Sequence, residues 1–297
     1  MSQLTKRSTL SLRREWRLFD QDRASQKLFL KLCDRMIEVG EFLLAHDVAR
    51  AGLRKHKADK TLSQRAAHAL CKAGSPKLAS NLLEELVASG GRDVETQSLL
   101  ASCYKDLCEY STSEESKFRY ADLAIARYED AYSAQLQKSS GKLEDLEKQY
   151  YPCINVAFMH YVFHNEEKAQ EYAKAAREIC RKIRAKGAGS YWVQATEAEA
   201  SLILGQVDAA LEAYAKAVGM EDAQPAHVAS TRKQALQIAS LFEDSDVKEQ
   251  VERAFPLLGI VACSGHVIDN PGRDRRFPPE AEMVAKEKIE QALDKLG

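Results

Sequence analysis

The sequence is short of the residues that interrupt helices, with 7 prolines and 14 glycines in 297 positions. That scarcity, beside 45% hydrophobic and 29% charged residues, excludes a disordered or low-complexity chain and leaves an ordered protein with a large core. Net charge is also lacking. Lys+Arg total 43 against Asp+Glu 44, so no global field draws the chain to nucleic acid or an anionic membrane, and any anion site must be local. No apolar run reaches the ~18 residues of a membrane span, since IRAKGAGS and HVIDNPGR interrupt the longer candidates. The 7 cysteines, at 33, 71, 103, 108, 153, 180 and 263, form no CxxC pair and follow no secretory leader. They read as reduced thiols in a cytoplasmic protein. GxSxG, P-loop and GxGxxG motifs are absent, so the expectation is a protein that is not an enzyme and needs no cofactor.

What is present is a period. EVGEFLLAHDVARAGL and KAGSPKLASNLLEELV align with Gly40 and Gly74, and Ala45 and Ala79, 34 residues apart. Taking the glycine as position 15 of a unit places starts at Gln26, Lys60 and Val94, and the third unit then supplies Ala101 and Tyr104 at its positions 8 and 11. After an insertion carrying STSEESK, the second-helix pattern resumes with Ala124, Tyr128 and Ala131. A fourth unit is expected near Tyr150, with Ala157, Ala169, Ala173 and Ala176, and a fifth shows Gly205, Ala210, Tyr214 and Ala217. Small residues let neighbouring helices approach and a large one fills the gap between them. Pro76, Pro152 and Pro225 are expected at helix starts, where a proline loses no hydrogen bond. PAHVASTRKQALQIASLFED and SDVKEQVERAF read as a sixth, atypical pair that caps the stack.

This spacing resembles the tetratricopeptide repeat (TPR) over roughly residues 26–222, although Trp is missing at position 4 and Lys57 and Asp222 stand where the family has proline. The resemblance implies an all-α, TPR-like superhelix of antiparallel helix pairs, a right-handed solenoid. The expected organisation is an N-terminal amphipathic helix or cap over 1–25 and five to six helical pairs over 26–254, with insertions near 109–119 and 139–149. A short C-terminal strand-loop-helix segment follows over 255–297. Arg and Ser in MSQLTKRSTLSLRREWRLF superficially suit a transit peptide, but the pattern runs unbroken into LFLKLCDRM, as an amphipathic helix does.

In the family, the concave face lined by first helices binds peptides or a partner's helix. Carried onto this register, the resemblance assigns Arg65, His68, Lys72, Ser98, Ser102, Lys105, Asn155, Phe158 and Tyr161 to that groove. One reading is a groove basic at one end and aromatic in the middle, fitted to an acidic-apolar protein segment. The other is that these are solvated helix faces, with Phe158 and Tyr161 in the core. The lysine and asparagine pattern with which the family clamps a C-terminal carboxylate is not present.

His160 and His164, four apart in HYVFH, have the spacing of two metal ligands but lack the glutamate of the hydrolytic zinc motif and a third ligand, so no metal site is expected. Acidic stretches such as LEDLEKQ and EAEA read as solvated faces.

The ending differs from everything before it. FPLLGIVACSG has the β-branched content of a buried strand, and PPEAEMVAKEKIEQALDKL starts with prolines and acids as a helix does. Between them Gly265, His266, Asp269, Arg273, Arg275 and Arg276 compose a candidate anion or nucleotide site, since a loop entering a helix N-terminus presents free N–H groups to anions. The alternative is a loop whose arginines pair with acids of the last repeat. A lone strand leaves unpaired edges, so the chain is read as cut within a longer α/β segment, the alternatives being a strand that adds to a sheet elsewhere or a C-terminal cap. The GH, D, PGR and RFPPE elements after a helical array resemble a bacterial group of TPR proteins. Their repeat region is similar to the TRAF-binding region of the apoptosis-signal-regulating MAP kinase kinase kinases, and the resemblance implies sensing of a nucleotide-like signal.

Two functions are therefore expected. One is a non-enzymatic interaction scaffold in a signalling or regulatory system, binding a protein partner or a linked effector domain, with no nucleic acid and no membrane. The other is a sensor in which the C-terminal loop binds a nucleotide-like small molecule and the repeats relay it.

Overall fold

The computed structural model describes residues 9–163 and 165–255. These form thirteen α-helices, with no strand among the described residues. After α1 (Thr9–Arg17) the helices come in pairs: α2 (Gln26–Glu38) with α3 (Phe42–Lys55), α4 (Lys60–Lys72) with α5 (Pro76–Ala88), and α6 (Val94–Tyr110) with α7 (Glu114–Lys138). They continue as α8 (Leu143–Val162) with α9 (Glu166–Ala185), α10 (Tyr191–Ile203) with α11 (Val207–Val218), and α12 (Pro225–Ala239) with α13 (Ser245–Ala254). The strand-loop-helix expected over 255–297 lies, apart from Phe255 itself, outside the described residues, as does His164.

Three first helices begin at the residues that the 34-residue register marks, Gln26, Lys60 and Val94. Local chemistry explains two of these starts. Asp59 and Asp93, themselves 34 apart, precede α4 and α6, and their side chains accept the N–H groups of Leu62 and Thr96. Such caps satisfy donors that have no partner inside the helix, and losing one costs about 1 kcal/mol. The same carboxylates tie neighbouring units, because Gln26 Nε2 donates to Asp59 at 2.7 Å and Gln64 Nε2 to Asp93 at 3.1 Å. Asp222, where the family has proline, has an equivalent use. Its carboxylate accepts the Tyr191 N–H at 2.9 Å and binds the turn after α11 to the start of α10.

Gly40, Gly74 and Gly205 turn the chain inside their pairs at φ of 81°, 82° and 73°, a left-handed conformation open to glycine at no steric cost. Ala45, Ala79, Ala124, Ala173 and Ala210 are fully buried at the helix crossings, beside the fully buried rings of Tyr128 and Tyr214. This is the small-and-large packing expected from the repeat. Gly52 extends it, since a Cβ there would lie 3.0 Å from Leu62 and 3.1 Å from Phe29.

One expectation gains detail and one needs correction. The insertion around STSEESK is mostly helical: only 111–113 separate α6 from α7, and α7 has 25 residues. Pro152 does not start a helix. α8 begins at Leu143, well before Tyr150, so Pro152 lies inside it and the Lys148 carbonyl loses the donor a helix would supply there.

The core is continuous from α4 to Phe255, with a second cluster formed by α1 to α4. Arg13 Nη2 on α1 donates to both carboxylate oxygens of Glu41, at 3.0 and 3.1 Å, which anchors the N-terminal helix over the first pair. The six described cysteines are buried and free. Among the described residues no helix is long and apolar enough to cross a membrane.

Candidate functional site

First helices pack along one another, α2 on α4, α4 on α6, α8 on α10 and α10 on α12, whereas second helices meet mainly the first helices beside them. A stack whose one row is drawn closer curves towards that row, so the first helices line its inner face.

Along that face the nine groove residues chosen from the sequence fall into three groups. Arg65 sits between acids of adjacent units, with Nε 2.5 Å from Asp34 of α2 and Nη1 3.6 Å from Glu95 of α6. His68 has a pKa lowered to about 4 by burial and then by the cations Lys72 and Arg65, so it is neutral at physiological pH. Lys72 is exposed. The end expected to be basic is thus less positive than its residue types implied, because one cation is paired and the imidazole is uncharged.

Ser98 is buried and its hydroxyl finds no partner, while Ser102 is half-buried one turn further along α6. Tyr161 is half-buried, with its ring centroid 6.5 Å from that of Phe242.

Lys105, Asn155 and Phe158 come together. Lys105 Nζ donates to Asn155 Oδ1 at 2.7 Å and lies 5.4 Å from the centroid of the Phe158 ring, whose face attracts a cation. Asn155 and Phe158 are both buried. Two residues that the sequence reading passed over complete this centre. Gln234 of α12 accepts from Lys105 Nζ at 3.1 Å and donates through Nε2 to Glu199 of α10 at 2.6 Å. Glu199 belongs to EAEA, expected to be solvated, yet it is only 7% exposed. Burial raises its pKa to about 7, against the lowering effect of Lys105 and the Gln234 amide, and burial likewise lowers the pKa of Lys105. Sequence spacing does carry a trace of this: Ala195, Ala198 and Leu202 are buried with Glu199, so the stripe that buries them runs through it.

His160, the other candidate ligand, is buried instead beside Glu129, with Nε2 3.6 Å from the carboxylate, and stacks on Tyr172 at 6.0 Å. Among the described residues no group of three or more His, Cys, Asp or Glu is placed to hold a metal ion. An open depression of about 260 Å³ lies beside Arg92, Gln97 and Arg127, away from the Lys105 centre. Gly265, His266, Asp269, Arg273, Arg275 and Arg276 lie outside the described residues.

The fold agrees with what the repeat period implied. Residues 41–160, from the start of α3 to near the end of α8, match the family described as Tetratricopeptide Repeats-Sensor. The helical array is a tetratricopeptide-repeat fold. A thermophilic TPR protein of Thermus thermophilus, TTC0263, superposes with a TM-score of 0.54 at 18% identity, covering 77% of this chain and 98% of that one. Pseudomonas aeruginosa pilF matches with a TM-score of 0.48 at 16% identity, over 81% of this chain and 96% of its own. A human IFIT1 dimer described with PPP-AAAA matches with a TM-score of 0.49 at 16% identity, over 83% of this chain and 56% of that one. No curated protein matches the chain.

Proposed function

We propose that this TPR protein is a non-enzymatic interaction scaffold of a signalling or regulatory system, whose inner face receives a segment of a partner protein or of a linked effector domain. The observation that carries this reading is the Lys105 centre. On one face of the array α6, α8 and α10 gather a cation, an amide, an aromatic ring and a carboxylate, and they already hold one helix, α12, through paired polar groups. Such an arrangement recognises shape and hydrogen-bonding pattern, and it holds no nucleophile beside a base and no cleft that shields a reaction.

A photo-crosslinking amino acid in place of Lys72 on the inner face, with one in place of exposed Lys174 on α9 as control, tests the reading. The expected result is a discrete crosslinked partner from the Lys72 position alone. Equal labelling from both positions would overturn it.

A second reading is favoured by the description of the matched family, which names a sensor. In it the loop carrying Gly265, His266, Asp269, Arg273, Arg275 and Arg276 binds a nucleotide-like ligand, and the array relays the bound state to an effector. The similarity to the TRAF-binding region of the apoptosis-signal-regulating kinases belongs to this reading. A thermal-shift screen with nucleotides and dinucleotides tests it, because a ligand bound only by the native state raises its stability. A shift that Arg276→Ala removes supports the sensor, and a full screen without a shift overturns it.

A further inference from the structure

Helix α12 holds a place that no other first helix in the array holds. α4, α6, α8 and α10 each pack broadly against the second helix of the preceding pair, α3, α5, α7 and α9 in turn. α12 is not laid against α11 in this way. Its broader contacts are with α10, with α8 and with α13, while α11 packs on α13. The helix has moved off the stacking position and onto the inner face.

Its reach confirms the displacement. Gln234 meets Lys105 on α6, and Lys233 Nζ lies 2.6 Å from Glu109 at the end of the same helix, so α12 touches a unit three pairs away in the array. On α10 the Tyr191 hydroxyl donates to Thr231 Oγ1 at 2.8 Å, and Glu199 accepts from Gln234. These α12 residues, 231 and 234, lie on one side of the helix, with Val228, Ala235 and Ile238 supplying the apolar part of the contact.

We infer that α12 is a built-in occupant of the binding face, and that the partner is an amphipathic helix which takes its place. The inference rests on the scaffold reading and adds to it the partner's chemistry and the regulation of the site. The attachment has two parts. Val228, Ala235, Ile238 and Ala239 are buried in the core, as the apolar side of a docked amphipathic helix is, and the hydrogen bonds and edge ion pair to α6 and α10 each add a small net contribution because water replaces them on opening. The polar face is specific all the same. Lys105 is a donor and Glu199 an acceptor, and a primary amide between them satisfies both at once. A competing helix must therefore present an amide flanked one turn earlier by a hydroxyl, above a stripe of small apolar residues. A lysine there could donate to Glu199 but could not accept from Lys105, and a glutamate could accept from Lys105 but could not donate to an ionised Glu199. The GMEDAQ turn before α12 and the 240–244 turn after it consist of exposed or half-exposed residues, with Asp222 of the first held by the Tyr191 N–H and Phe242 of the second beside Tyr161.

The test uses the full chain with Thr231→Ala, Lys233→Ala and Gln234→Ala together, which alters the occupant and leaves the face intact. Hydrogen exchange is expected to show residues 225–239 losing protection at least tenfold while α4, α6, α8 and α10 keep theirs. A labelled synthetic peptide with the natural sequence of 225–239 is then expected to bind the variant at least tenfold more tightly than it binds the unaltered chain, and a peptide with the same three alanines to bind neither. If α12 opens only together with α10, or if the two peptides bind the variant alike, α12 is an ordinary cap and the inference fails. If the triple variant loses the helical signal of the array, Gln234→Ala alone supports the same two measurements. A crosslinked partner at Lys72 combined with failure of the peptide arm would retain the scaffold and remove the displaceable occupant.

Discussion

Lys105 and Gln234 are 129 positions apart in the chain and 3.1 Å apart in space, Nζ to Oε1. Their contact closes the inner face of the array, because one belongs to the third helical pair and the other to the sixth. The same glutamine passes the interaction on to Glu199, so a cation and a carboxylate share one neutral amide in a buried setting.

Glu199 should make stability depend on pH in a definite direction. Its native pKa of about 7 lies above the ordinary 4.5, so between those values the native state holds a proton that the unfolded chain has released. Stability from this group is complete below about pH 4.5 and falls as pH rises to about 7. Tyr191, Tyr214, Lys105 and Gln234 are the polar groups around it. Glu199→Gln should raise stability at pH 8 relative to pH 5 by on the order of 2 kcal/mol compared with the unaltered chain, as read by urea unfolding of both at the two pH values. An unchanged difference between the two pH values would show that Glu199 ionises freely in the fold.

His68 acts in the opposite sense over part of the same range. Its native pKa of about 4 lies below the ordinary 6.5, so the unfolded chain takes up a proton first and stability falls as pH drops from 6.5 towards 4. Because the two groups oppose each other between about pH 4.5 and 6.5, the unaltered chain and the double variant should both be nearly level there, whereas His68→Gln alone should show the fall with rising pH that Glu199 imposes and Glu199→Gln alone the opposite slope.

Removing Lys105 leaves Glu199 without its cation. Lys105→Ala should cost ~2 kcal/mol at pH 8, where the carboxylate would otherwise be ionised beside the lysine, and less at pH 5, where Glu199 is protonated in either chain. Parallel unfolding curves at the two pH values check this. A cost independent of pH would mean that the lysine contributes only packing over Phe158.

Gly74→Ala should destabilise by about 1 kcal/mol through backbone conformation alone, because φ is 82° and nothing lies within 4 Å of an added Cβ. Gly74→Asn should lose less, since asparagine tolerates the left-handed region. Thermal unfolding of the two variants side by side distinguishes this backbone cost from a steric one.

Ala210→Leu should cost about 1–3 kcal/mol by overfilling a helix crossing, since Ala210 is fully buried beside Tyr214. The loss should appear first in the exchange protection of α10 and α11, because each unit of a stacked array contacts mainly its neighbours. Uniform loss along the whole array would show that the repeats unfold as one.

Local rules made much of the fold legible. A helix start depends on a cap and a glycine turn within a few residues, which is why the 34-residue register found Gln26, Lys60 and Val94. The repeat also requires small residues where helices cross, and Ala45, Ala79 and Ala210 are buried as that requirement implies. Where a local signal competed with packing, it misled. Pro152 suggested a helix start but lies within α8, whose other contacts with α7 and α9 hold the helix across it.

The binding face was legible only in part, and for a different reason. Lys105, Asn155 and Phe158 could be chosen from their repeat positions, because register decides which side of a helix faces inward. Glu199 and Gln234 could not, because their role depends on α12 leaving the stacking position and crossing to α6. No residue near Gln234 records that displacement: its sequence is that of any amphipathic helix, and the groups it joins, Glu199 and Lys105, are 35 and 129 positions away. Helix, turn and period follow from neighbours in the chain, whereas the burial of a charge and the partner that satisfies it follow from which surfaces meet when the array curves.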